Sequence, residues 1–189
     1  MIIKSPQKLD FKYRKIIAHV VQFTWMKFAE DVIGMTTCTF AGHREVYQAD
    51  VGKALDAAIS AILENGDDSY TFLVGGMGDF DGLCAGAVRA AKRRHPDKQI
   101  TLALVEPYMK QELNTNKDYY EMMFDEVIIP IELADVHYKA AITKRNRWMV
   151  DASQVLIAFV YRDHGGAYTT LRYAQKKNLQ IINLANNPV

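Results

Sequence analysis

Gln154 to Val160 is an almost unbroken apolar run. A strand of that kind has no polar face to give to water. It has to be covered on both sides, which makes it parallel and central in its sheet. The rest of the chain must therefore supply neighbouring strands and helices for both faces. It has that pattern: strand-like and helix-like stretches alternate through the whole of 36–185. The alternation predicts an α/β fold, a Rossmann-like doubly wound, mostly parallel sheet with helices on both faces.

In chain order, Thr36 to Phe40 carries β-favouring residues in alternation and reads as the first strand. Asp50 stands where it would cap the next helix, which runs through Val51, Leu55, Ala58, Ile59, Ile62 and Leu63. Asn65 to Asp68 stops it. Tyr70 to Val74 is the second strand, followed by glycines and a helix to about His95, where Pro96 breaks it. Ile100 to Val105 is the third strand. Glu106 to Asn116 has no clear period and reads as a flap. Lys117 to Phe124 reads as helix, and Glu126 to Ile129 as a short strand ended by Pro130. Val136 to Val150 reads as a helix with Tyr138, Ile142, Arg145 and Met149 as its stripe. After Gln154–Val160, a turn at Arg162 to Gly166 leads to a helix from about Ala167 to Lys177. Leu179 to Leu184 is the last strand.

Residues 1–34 differ from this pattern. Ile16, Val20, Phe23 and Phe28 recur near helical spacing, so a helix is expected from about Leu9 to Val32, ended by Gly34. The expected division is an N-terminal helical extension, 1–34, and a Rossmann domain, 35–189. Met35 directly precedes the first strand and could be the natural start of the domain.

The chain has 189 residues, 49% of them hydrophobic, which suits one domain with an appendage. Its 23 basic residues nearly balance its 22 acidic ones. That argues against a dedicated polyanion-binding surface, and leaves a local basic patch open. Cys38 and Cys84 make no metal-type or redox-type pair and read as buried apolar groups of a cytoplasmic protein. No stretch reaches about 18 apolar residues, so no membrane span is expected. No cleavable leader pattern and no repeat are seen.

In doubly wound sheets, ligands sit beyond the carboxyl ends of the strands. The turns placed there are Gly42–Arg44, Gly75–Asp81 and Arg162–Thr170. Backbone amides at Gly75, Gly76, Met77 and Gly78, and at Gly165 to Ala167, are candidate phosphate donors. Thr169 and Thr170 add hydroxyls. Arg44 and Arg145 are the candidate cations, with a fork suited to phosphate. Asp81 is either a catalytic or ribose-binding acid, or a helix-capping one. His43 and His164 are either acid–base groups or solvated loop residues, and Tyr168 either stacks on a base or packs. No histidine–acid spacing points to a metal, and no cofactor is expected. The dinucleotide fingerprint, the P-loop and Gly-x-Ser-x-Gly are all absent.

Four segments together carry a resemblance: Thr37–Arg44, Gly75–Asp81, Arg145–Asp151 and Gly165–Leu171. As a set they resemble the SLOG superfamily, closest to its small YpsA-like members. The resemblance covers about 36–185 and implies a domain that binds nucleotide-derived ligands, with a homodimer plausible. Relatives include the Lonely Guy phosphoribohydrolases and the DNA-processing protein DprA. The enzyme branch uses a Pro-Gly-Gly-x-Gly-Thr-x-x-Glu loop and an arginine on the preceding helix. Arg145 falls where that arginine would lie, next to Asn146, and Gly165, Gly166 and Thr169 match the loop. His164 replaces its proline, Tyr168 a glycine and Arg172 its glutamate. Without that acid, the usual stabilisation of an oxocarbenium-like transition state is missing.

The resulting expectation is a binding domain for a phosphate- and ribose-containing small molecule, acting as a sensor or sequestering protein. An N-glycosidic hydrolase or transferase using Arg145 and Asp81 is the alternative, and a DprA-like nucleic-acid module is less favoured. The ligand is not named by the sequence.

Overall fold

β1 (Met35–Gly42) lies between β2 (Ser69–Val74) and β5 (Val155–Phe159), and every neighbouring pair in the sheet is parallel. The computed structural model describes residues 34–186. The expected helix Leu9–Val32, and with it the N-terminal extension, lies outside the described residues. Among those described, β3 (Gln99–Val105), β4 (Glu126–Ile128) and β6 (Gln180–Asn183) complete one sheet in the order β4-β3-β2-β1-β5-β6. The chain winds outward from β1 to β4, returns across the sheet, and winds the other way through β5 and β6. The order reverses between β1 and β5.

Period-two alternation divides the strand residues between two faces. Cys38 and Phe40 of β1, Phe72 and Val74 of β2, and Ile157 and Phe159 of β5 belong to one core cluster. They meet α1 (Val51–Leu63) and α2 (Asp79–Arg94) through Leu55, Ile59, Phe80, Cys84 and Val88. Ala41, Leu156, Ala158 and Val160 belong to the other cluster. They meet α5 (Tyr138–Asp151) and α6 (Gly165–Lys176) through Val150, Leu171 and Ala174. All five β5 residues are buried, as a two-sided strand requires.

Several boundaries differ from expectation for identifiable reasons. Asp50 precedes α1 but makes no side-chain cap; its carbonyl accepts the Ala54 N–H at 3.0 Å, and its exposed carboxylate lies 4.0 Å from the Lys53 ammonium. The end of α1 is held from a distance. The Tyr70 hydroxyl donates to the Leu63 carbonyl at 2.9 Å and accepts the Asp67 N–H at 3.1 Å. Between β3 and β4 the expected flap contains α3 (Glu112–Thr115), with Leu113 buried, before α4 (Lys117–Met123). Tyr138 is 65% exposed, so the buried stripe of α5 begins one turn later than expected. α6 begins at Gly165 rather than Ala167. The Thr169 and Thr170 hydroxyls donate to the Gly165 and Gly166 carbonyls at 2.9 and 2.8 Å and extend the helix through the glycines. Among the described residues no helix is long and apolar enough to cross a membrane.

Candidate functional site

Reversal of strand order leaves a crevice, because the turns after β1 and β5 lead away in opposite directions. Here the crevice is a cavity of ≈ 440 Å³ at the carboxyl ends of β1, β2 and β5. The turn after β1 brings Gly42, His43 and Arg44 to it. The turn after β2 brings Gly75 and Met77, and α2 adds Asp81. Arg145 and Asn146 arrive from α5, and Gly166 and Thr170 from α6. The expected residues Gly76, Gly78, Gly165 and Thr169 do not line it. Gly78 serves the wall instead. Its φ is +91°, and a Cβ there would lie 2.8 Å from the Arg44 Cα. That close approach lets the Asp79 N–H donate to the Arg44 carbonyl at 2.8 Å, joining the first two turns.

Arg145 is 2% exposed. One guanidinium nitrogen, Nη1, donates to the carbonyls of Gly75 and Val105, both at 2.6 Å. Nε donates to the Asn146 amide oxygen at 2.9 Å, and Nη2 lies 3.7 Å from the Met77 sulfur. The side chain thus ties the ends of β2 and β3 to α5 and presents its remaining edge to the cavity. Burial lowers its proton affinity, while Asp81 and Glu106 act in the opposite sense. Asp81 is the mirror case. Burial raises its carboxyl above the ordinary range, against the pull of the Met77 N–H and Arg145. Its Oδ2 accepts the Met77 N–H at 2.8 Å.

The two helix N-termini at the cavity are therefore in different states. α2 opens with Asp79 and Asp81, and Asp81 already occupies a loop amide. Of the amides from Gly75 to Gly78, the Met77 N–H is thus the one given to Asp81. α6 opens with no acidic residue in its first turn and no side-chain cap. Gly166 and Ala167 of that turn line the cavity.

Several lining residues lie outside the candidate site residues of the sequence, Glu45, Tyr161 and Arg162 among them. Glu45 and Tyr161 adjoin selected turns and Arg162 opens one, which is the signal the sequence offers. Arg162 lies over the Tyr161 ring, 4.9 Å from its centroid, and donates to the Tyr161 hydroxyl at 3.0 Å. His43 packs edge-on against Tyr161 at 4.5 Å and accepts the Arg162 backbone N–H on Nε2 at 3.3 Å. That bond requires an unprotonated Nε2. Burial first, then Arg162 and His164, lower the His43 pKa below its ordinary 6.5. His164 itself is exposed, pairs with Asp163 at 3.2 Å and does not line the cavity. Arg172, at the position of the enzyme branch's glutamate, is exposed and donates to Gln175 at 2.8 Å. Among the described residues no group of three or more His, Cys, Asp or Glu could hold a metal ion.

No protein family and no curated protein matches the chain. Solved structures do. DNA processing protein A from Helicobacter pylori, described for its single-stranded DNA binding mode, aligns with a TM-score of 0.55 at 16% identity. The alignment covers 78% of this chain and 64% of that one. DprA from Streptococcus pneumoniae aligns with a TM-score of 0.52 at 14% identity, over 78% of this chain and 49% of that one. This chain thus spans less than two thirds of either. At such identities the likeness is one of fold: the sheet described above is a Rossmann-like sheet of the DprA type.

Proposed function

We propose that the cavity binds a nucleotide-derived ligand through its phosphate, as a sensor or sequestering domain of the YpsA-like kind. The observation that carries this reading is the contrast between the two helix N-termini. An uncapped terminus without acids attracts an anion. The α6 terminus faces a cavity whose other walls bear Arg145, Arg44 and Arg162. In this reading the phosphate meets the Gly166 and Ala167 amides, and Asp81 receives sugar hydroxyls at the opposite wall. The family resemblance extends the proposal to a homodimer, to the cytoplasm and to a domain beginning near Met35.

The cavity also keeps a half-buried acid, Asp81, with the cation Arg145 in the same lining, which supports the hydrolase alternative. Release of free base by the purified protein, lost in Asp81→Asn, would establish it. The DprA likeness supports a different extension, in which the cavity takes one nucleotide of a single DNA strand.

A thermal-shift screen against nucleoside mono- and diphosphates tests the main reading. A ligand at about 100 times its dissociation constant adds roughly 2.7 kcal/mol of stability. The gain should vanish in Arg44→Ala/Arg162→Ala, whose side chains are exposed and cost the fold little. Absence of any shift with every nucleotide would refute it.

A further inference from the structure

The near-zero net charge conceals a separation. Residues 138–177 carry eight lysines and arginines against two aspartates, whereas residues 34–137 carry nine against seventeen. The fold gathers the positive stretch on one side, because α5 and α6 pack on each other over the same sheet face. Lys139, Lys144, Arg147, Arg172, Lys176 and Lys177 are all exposed there.

The two aspartates of this stretch neutralise only one cation of the face, Lys177. Asp163 lies in the turn before α6 beside His164. Asp151 accepts the Tyr173 hydroxyl at 2.9 and 3.0 Å and the Lys177 ammonium at 2.8 Å. Among the described residues, Lys144, Arg147, Arg172 and Lys176 make no ion pair. Lys176 suits the negative end of its own helix dipole. Lys144, Arg147 and Arg172 sit away from helix ends, so the dipole does not account for them. Arg147 is held over the Tyr173 ring, 5.4 Å from its centroid, with Lys177 at 5.3 Å.

We infer that the outer face of α5 and α6 docks the sugar-phosphate backbone of a single-stranded nucleic acid. Lys144 and Arg147, and Arg172 and Lys176, recur at three and four residues, which places neighbours about 5–6 Å apart. Regular cations match a regularly charged chain. A membrane surface would need apolar anchors. No large apolar residue of α6 is exposed, and on α5 only Tyr138, at its start. Asn146 and Thr170, which line the cavity, stand next to this face on the same two helices. A strand with one nucleotide in the cavity runs onto the cations, and that nucleotide must be unpaired to enter. Only this last step rests on the nucleotide reading of the cavity.

The test is fluorescence anisotropy of a labelled oligothymidylate with the full chain, across a salt series. Lys144→Ala/Arg147→Ala/Lys176→Ala should weaken binding at least tenfold at low salt. It should also lower the slope of log K against log salt by about 2, at roughly 0.7 per lost phosphate contact. An unchanged slope, or no binding at low salt, overturns the inference. So does displacement by polyglutamate at equal charge concentration, which would mark an acidic-protein surface. Oligothymidylate binding without any mononucleotide shift would remove the cavity reading and keep this one. A mononucleotide shift without oligothymidylate binding would do the reverse.

Discussion

The Arg145 guanidinium lies 2.8 Å from the point where a side chain on Gly75 would begin. The two residues are 70 positions apart in the chain. Gly75 is what allows the arginine to reach the carbonyl ends of two strands. Arg145 in turn is what satisfies those carbonyls.

Replacing Arg145 by alanine therefore strands the Gly75 and Val105 carbonyls. Each buried carbonyl left without its donor costs about 1–3 kcal/mol. Urea unfolding should show that loss. Gly75→Ala should cost about 1–3 kcal/mol by overpacking against the guanidinium. Variants at Arg145 alone are thus unsuited to locating a ligand.

Asp81 should make stability fall with pH. Its carboxyl holds a proton more tightly folded than unfolded, so the folded state binds more protons above the ordinary value of 3.8. The contribution is greatest below that value and declines as pH rises through the raised folded value. Asp81→Asn should flatten the decline. Stability of both proteins measured from acid to neutral pH checks this, and parallel profiles would contradict it.

His43 has the opposite sign. Its folded pKa is lowered, so it favours folding above its ordinary 6.5 and loses that favour as pH falls through the lowered value. Protonation also ends acceptance of the Arg162 N–H. A ring titration followed by NMR should give a midpoint below 6.5. Resonances of the turn at Arg162 should move with the same midpoint.

Tyr173→Phe should cost about 0.5–1.5 kcal/mol, the net worth of an ordinary hydrogen bond. It also frees the Asp151 carboxylate to bind Lys177 alone. That ion pair is solvent-exposed at the lysine and contributes little. Thermal unfolding of the two single variants and the double variant Tyr173→Phe/Lys177→Ala would separate the two contributions.

The strands were legible because their apolar runs report burial directly: Gln154–Val160 contains β5, and Tyr70–Val74 lies within β2. The three turns around the cavity followed from that order. Less legible was anything decided by a partner far along the chain. Arg145 stood out as a ligand-facing cation, yet its bonds to Gly75 and Val105 span 70 and 40 residues and carry no local signature. The glycine turn after β2 offers its amides to a ligand by sequence, and nothing local foretells that Asp81 takes the Met77 N–H. Tyr138 keeps the helical spacing of a core residue and is nevertheless 65% exposed. The charge pattern could be read from the sequence, yet summing over all residues cancelled it.

That cancellation has a practical meaning for anyone handling the protein. A molecule of pI ≈ 7.8 would ordinarily pass a cation exchanger near that pH. Among the described residues, two oppositely signed regions create a dipole moment that a near-zero net charge does not reveal. Such a molecule turns as it nears a charged matrix and presents the matching side. It should be retained by cation-exchange and anion-exchange resins alike at one pH. In low-salt solution it should also align head to tail with its own copies, so its solubility minimum should be deepest where salt is lowest.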